Sequence, residues 1–302
     1  YNPNWGYQDG ELRNSRVRNI KEPVLMLNHY WKINEKTNLN TNASFQTGSI
    51  GNTRVDQGGT RLVEIDGQEA YLGGGRNPLG NYYQRLPSYF LQDPNPTAGD
   101  FQNAYLAQQE FVNDGQLDWE SLYRANAIST STGGNSIYAI QEDRIDDTQF
   151  TINTIFDTQI TDNILLNANI NYRNLKSENF AELKDLLGGT GFLDVDFFAE
   201  GEDGEVNIIV GDVAQSDLRN RNRIAQVGDR YKYSYEITAD VLSGFAQAQF
   251  KYNRVDFYVG ASVSNTNYQR NGLFENGNYT GNESFGKGEK QSFTDFGIKG
   301  GA

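Results

Sequence analysis

The 302-residue chain contains few groups capable of catalysis. Its single histidine, His29, lies in Asn28-His29-Tyr30-Trp31, an aromatic stretch that reads as a strand. A catalytic or metal-binding histidine needs partners, and here they would have to arrive from distant strands, so a structural role is expected. Cysteine is absent, which removes disulfide, zinc-thiolate and thiol chemistry. No Ser–His–Asp arrangement and no Walker or dinucleotide motif can be read. Gly188-Gly189-Thr190-Gly191 follows a segment with helical spacing, so it reads as a helix stop and not as a phosphate loop. No catalytic residue, cofactor or metal is assigned, and the chain is not expected to be an enzyme.

Binding chemistry is better represented. Asp194, Asp196, Glu200, Glu202, Asp203, Glu205, Asp212 and Asp217 follow one another with no Lys or Arg between them. Calcium takes 6–8 oxygen ligands, which such a segment can supply. The spacing does not match an EF-hand loop, so a solvated, self-repelling outer loop is preferred, with Arg219, Arg221 and Arg223 as neighbours able to pair with it. A second candidate is the aromatic set Tyr82, Tyr83, Tyr89, Phe90, Trp119 and Tyr123. Their faces can stack on sugar rings or anchor a partner, or they can form a small core for their own loop, which is the favoured reading.

The elements that must position these residues are strands. Leu166, Ala168, Ile170 and Tyr172 alternate with Asn167, Asn169, Asn171 and Arg173. Leu39 to Gln46, Phe150 to Asp157, Ala246 to Lys251 and Val255 to Ser264 repeat that period of two. In residues 230–252 the apolar set changes from odd to even positions near Leu242-Ser243-Gly244, which predicts a β-bulge at Gly244. The strand near residues 22–33 is apolar on both faces at its start, so its apolar side is not assigned.

Alternation alone fits a soluble sandwich as well as a membrane barrel. The connections separate the two. Tight turns are predicted at Asn34-Glu35-Lys36, Thr161-Asp162-Asn163 and Asn253-Arg254, and long connections at roughly residues 49–147, 177–229 and 266–289. Short turns alternating with long loops is the outer-membrane pattern, and soluble β-domains keep connections short throughout. The long loops have structure of their own. Helical spacing predicts Phe101–Val112 with Asp100 as N-cap, Asp118–Ala125, and a third helix from Ser177 to Gly188.

Composition agrees. No run of 18 apolar residues is present and mean hydropathy is -0.68, which excludes helical spans. Barrel strands escape that test, because every second residue faces lipid. Aromatics reach 13%, enough to furnish interfacial belts. A net charge of -13 argues against nucleic acid as a partner. No charged n-region, apolar h-region or cleavage site opens the chain. Tyr1-Asn2-Pro3-Asn4-Trp5-Gly6 reads as the inside of a loop, and Phe296 to Ala302 as the inside of a strand. A piece of a larger barrel is therefore expected: all-β and antiparallel, about seven long strands with tight periplasmic turns and long extracellular loops.

Five stretches carry a family resemblance. They are Asn4-Trp5-Gly6-Tyr7-Gln8-Asp9-Gly10 with Arg13-Asn14-Ser15-Arg16-Val17-Arg18, Met26 to Trp31, and Tyr82 to Phe90 with Phe285-Gly286-Lys287-Gly288. They resemble TonB-dependent outer-membrane receptors of Bacteroidota. The resemblance implies a 22-stranded barrel, of which residues 1–302 are a partial domain without signal peptide, TonB box or plug. It further implies outer-membrane lipid, a plug domain and the TonB complex as partners, a surface lipoprotein as a possible one, and import of a glycan, peptide or siderophore. A passive pore, an assembly or adhesion scaffold, and a soluble β-sandwich binding module are the alternatives.

Overall fold

A computed structural model describes residues 3–113, 115–196, 199 and 208–302. The chain is mostly antiparallel sheet. Its long strands are β1 (Val24–Asn34), β2 (Thr37–Gln57), β3 (Tyr138–Thr161), β4 (Ile164–Asp185), β5 (Arg230–Tyr252), β6 (Val255–Gly272) and β7 (Gln291–Gly301). Each pairs with the next in sequence. Two short strands, Arg18–Lys21 beside β2 and Gly286–Lys287 beside β6, extend the positions of β1 and β7 toward the loop end. Pro23, which has no N–H to give a ladder, sits at the first of these breaks. The sheet is thus seven strands wide and open, with no pairing between β1 and β7 among the described residues.

The tight turns fall where the sequence places them. Asn34 Oδ1 accepts from the Lys36 amide at 2.8 Å and Thr161 Oγ1 from the Asn163 amide at 3.3 Å, the local side-chain bonds that favour turns. At the other end the strands run farther than expected, to 21 residues in β2 and 24 in β3. The connections therefore shrink to residues 58–137, 186–229 and 273–290.

Register fixes which residues share a face. Trp31, Leu39, Phe156, Ala168, Ala246, Ala261 and Ile298 are paired in one row across all seven strands. One residue along, the row is Lys32, Asn38, Asp157, Asn167, Gln247, Gly260 and Lys299. The first row lies on an apolar face and the second on a polar one. The same pairing assigns β1: Leu25, Leu27, His29 and Trp31 join the apolar face, opposite Phe45, Ala43, Thr41 and Leu39.

Two sequence expectations about the strands need correction. The pairing of β5 with both neighbours is unbroken through Gly244, so no bulge lies there. The irregularity is at Tyr231/Ser234, where Lys232 takes φ 61°. Apolar residues change sides along β5 because the covering changes. Tyr235, Ile237, Ala239 and Val241 share the face of the polar row in the loop half, and Leu242, Ala246, Ala248 and Phe250 the face of the apolar row in the turn half. The segment from Ser177 is also not a helix, because β4 runs to Asp185, paired with β3 to its end and with β5 as far as Glu182. Ser177, Ala181 and Leu183 are buried on one face while Glu178 and Lys184 form ion pairs on the other. Its apolar spacing fits either period, and neighbouring strands decide for two. Gly188 and its followers thus come after a strand. No helix begins there, since Phe192–Leu193 is extended and pairs with Ile224–Ala225, so a phosphate loop remains excluded.

The two helices of the first loop form where expected. α1 spans Ala98–Asn113 and α2 Trp119–Ser131. Thr97, not Asp100, caps α1. Asp100 Oδ2 accepts from the Thr97 amide and hydroxyl at 2.7 Å each, and Thr97 Oγ1 accepts from the Asp100 amide at 3.3 Å, a reciprocal capping box. Asp118 lies just outside α2 and caps it, accepting from the Ser121 amide at 3.0 Å.

The buried core sits at the loop end. Ala139, Ala181, Leu183, Phe192, Ala225 and Tyr231 form one cluster, and Leu117, Trp119, Leu122, Tyr138, Ile140 and Leu187 a second. The turn half has no such cover. Ile170 is 63% exposed, Phe296 80% and Ile298 92%, all on the apolar face. Full burial of such side chains is worth roughly 1.5–3 kcal/mol each, so this face is left far from its favoured surroundings by the chain alone.

Candidate functional site

The first long loop builds a groove from its own parts. Leu79, Tyr82 and Leu86 carry successive backbone turns into a single helical turn, Pro87–Phe90, which packs against α1. Between them lies a cavity of about 360 Å³ lined by Arg76, Tyr82, Gln84, Arg85, Phe90, Asn103, Leu106, Ala107 and Glu110. Arg85 and Glu110 also line an adjoining cavity of about 590 Å³ that reaches Tyr7, Leu117 and Tyr138. Arg85 and Glu110 thus line both cavities.

Four of the six candidate aromatics meet here. Tyr82 and Tyr83 are edge-to-face at 4.8 Å, Tyr83 and Tyr89 at 5.7 Å, and Tyr89 and Phe90 at 5.5 Å between ring centroids. Tyr82 and Phe90 are half-buried and line the cavity, and Tyr83 is exposed. The Tyr82 phenol is raised above its ordinary pKa by lost solvation and by hydrogen bonding to Tyr83, so it stays a neutral donor.

Trp119 and Tyr123 sit elsewhere. Trp119 is 0% exposed, its indole N–H donates to the Arg13 carbonyl at 3.1 Å, and the Arg13 guanidinium lies 4.2 Å over its ring. Arg13 also donates to the Tyr123 hydroxyl at 3.0 Å and to Asp185 at 2.6 Å. Both aromatics clamp the hairpin Trp5–Gln8/Glu11–Asn14 onto α2 and the end of β4. Neither ring of this pair lines the aromatic cavity.

Arg76 and Arg85 have no ion-pair partner among the described residues, although both act on one phenol. Tyr138 donates its hydroxyl to the Arg76 carbonyl at 2.8 Å. Burial raises the Tyr138 pKa, and the nearby charges of Arg85 and Arg76 offset part of that rise. The sequence gives no signal for Arg76. Gln84 and Arg85 were visible inside the aromatic motif, but nothing local distinguished them from surface residues.

A second polar constellation escaped the sequence reading. On the polar face Asp56 is 6% exposed and accepts from the Tyr231 hydroxyl at 2.8 Å and from Lys232 Nζ at 2.5 Å. Beside it, Asp143 accepts from the Tyr233 hydroxyl at 2.9 Å and Gln141 Nε2 at 2.6 Å, and pairs with Arg54 at 3.1 Å. Burial, then the Asp56 charge, pushes the Tyr231 phenol far up, and burial with Asp143 does the same to Tyr233. These groups are satisfied by one another, which makes them a brace across strands and not a reactive centre.

The acidic segment is dispersed where it is described. Asp194 is buried and accepts from the Lys232 amide at 2.9 Å, and burial raises its pKa. Asp217 caps Leu218–Asn220, and Asp212 pairs with Arg221. Arg223 pairs with Asp229 at 3.2 Å and Arg219 lies over Phe285. Glu200, Glu202, Asp203 and Glu205 lie outside the described residues, as do Tyr1 and Asn2. Among the described residues no acidic group of three could hold a metal ion. A scan against protein-family models finds no match to the chain, and a search of curated proteins finds none either.

Proposed function

We propose that the chain supplies wall and outer loops of a TonB-dependent outer-membrane receptor that imports a scarce nutrient, a glycan, peptide or siderophore. One observation carries this reading: an unbroken apolar row on every strand of a seven-strand antiparallel sheet, left uncovered, with a polar row one residue away. A soluble sheet hides such a face against a second layer. A barrel wall turns it to lipid and keeps the polar face for a water-filled or plugged lumen. Tight turns at one end and folded loops at the other favour the same orientation.

In this reading the outer loops capture the ligand in the groove beside Tyr82 and Phe90. A plug and the TonB complex, from other parts of the assembly, supply gating and energy. The resemblance in the Asn4–Arg18 and Tyr82–Phe90 stretches supports a receptor over a passive pore or an adhesion scaffold. The test is fractionation of cells producing the protein that carries this chain. Recovery in the outer membrane, with extraction by detergent and not by salt or alkali, is expected. Recovery as a monodisperse soluble protein without detergent would sink the reading. Loss of nutrient uptake on deletion of residues 76–113 would separate a receptor from a scaffold.

A further inference from the structure

We propose that the loop groove between Tyr82–Phe90 and α1 binds a uronic-acid-type saccharide residue, with Arg76 and Arg85 holding its carboxylate. The proposal rests on the capture reading above and adds the ligand's chemical class.

The charge of the cavity lining points to an anion. Among the described residues Arg76 and Arg85 have no acidic partner, a state they share with Arg16, Arg18, Arg61, Arg173, Arg219, Arg254 and Arg270, but these two line one cavity. Both line the same cavity of about 360 Å³, the size class of small-molecule sites. Guanidinium groups match a carboxylate through paired N–H donors. The lining of that cavity holds two arginines against one acid, Glu110.

The rest of the lining fits a sugar ring. Tyr82 and Phe90 present half-buried ring surface to the C–H face of a pyranose. Gln84 and Asn103 carry amides that both donate and accept, which suits hydroxyls with their two roles. Glu110 accepts from a further hydroxyl and limits how much negative charge the groove tolerates. No strand edge lines the cavity, so the backbone pairing that extended peptides use is not offered here.

The experiment is isothermal titration of the intact protein in detergent. The probes are tri-galacturonate, a glucuronate-bearing disaccharide, the neutral galactose trisaccharide and an acidic peptide containing tyrosine. Binding of at least one uronic-acid probe is expected, with the neutral sugar and the peptide at least about tenfold weaker. Arg76→Gln and Arg85→Gln should each weaken that binding about tenfold, the range of a lost charge-assisted bond. Glu110→Gln should strengthen it. These side chains are exposed or half-exposed, and circular dichroism checks that the variants stay folded. Equal affinity for the neutral sugar, preference for the peptide, no binding to either acidic sugar, or indifference to both arginine variants would each overturn the proposal. Fractionation outside the outer membrane would end the receptor reading and leave the titration result standing.

Discussion

The Tyr231 hydroxyl donates to Asp56 Oδ2 at 2.8 Å, although 175 residues separate the two and strands β3 and β4 lie between theirs. Three strand spacings amount to about 14 Å, beyond what a tyrosine and an aspartate span on a flat sheet. The sheet therefore curls toward its polar face at the loop end, and the apolar face is the convex one. Curvature of this sense is what a barrel wall requires.

Tyr231→Phe removes the donor to Asp56 Oδ2 and leaves the buried carboxylate with Lys232 and the Gln57 amide, both on Oδ1. The expected loss is about 1–3 kcal/mol, the range for a buried acceptor losing a partner. Denaturant unfolding in detergent, followed by tryptophan fluorescence, measures it. A change within error would show that Asp56 is satisfied without the phenol.

Tyr231 also sets an alkaline limit. Its folded pKa lies well above the ordinary value of 10.0, so the folded state keeps the phenol proton that the unfolded chain releases. The contribution to stability is complete below pH 10 and declines as pH rises above it. Tyr231 should add about 1.4 kcal/mol per pH unit to the slope, and Tyr231→Phe should lose that share while Tyr233 keeps its own. Unfolding midpoints at pH 9, 10 and 11 test this.

Asn126 ties the first loop to the sheet. Its side chain donates to the carbonyls of Tyr138 at 2.8 Å, Leu186 at 2.9 Å and Leu187 at 3.1 Å, and accepts from the amides of Ile137 at 2.7 Å and Tyr138 at 3.0 Å. It is 0% exposed, so Asn126→Ala leaves those groups without water to replace it. A loss of about 3 kcal/mol and faster protease cleavage within residues 58–137 are expected. Unchanged cleavage would place the loop's anchor elsewhere.

Neighbouring residues on β4 test the two faces. Ala168 lies in the apolar row and Asn169 on the polar face. Ala168→Arg should cost about 2–4 kcal/mol or prevent membrane assembly, and Asn169→Arg should be tolerated. Folding yields into lipid vesicles decide it, and equal yields would contradict a lipid-facing convex side.

The period-two pattern, the turn residues and the helix spacing of Phe101 to Val112 are local signals. The strands, the faces of most of them, the tight turns and both loop helices were legible from sequence for that reason, whereas the face of β1 was assigned only by its pairing with β2. Where local signals conflict, neighbours decide. Ser177 to Asp185 fits a helix or a strand, and the flanking β3 and β5 make it a strand. The phase change in β5 follows from what covers each half of the sheet, which no window of sequence contains. The aromatic candidates show the same division. Their number marked the loop, but only folding separated Tyr82 and Phe90, which line a groove, from Trp119, which is buried against Arg13. Arg76 and Arg85 come to line one cavity, and Asp56 meets Tyr231, because the sheet and its loop bring distant segments together. Contacts of that kind depend on the positions of whole elements, and residue type alone does not encode them.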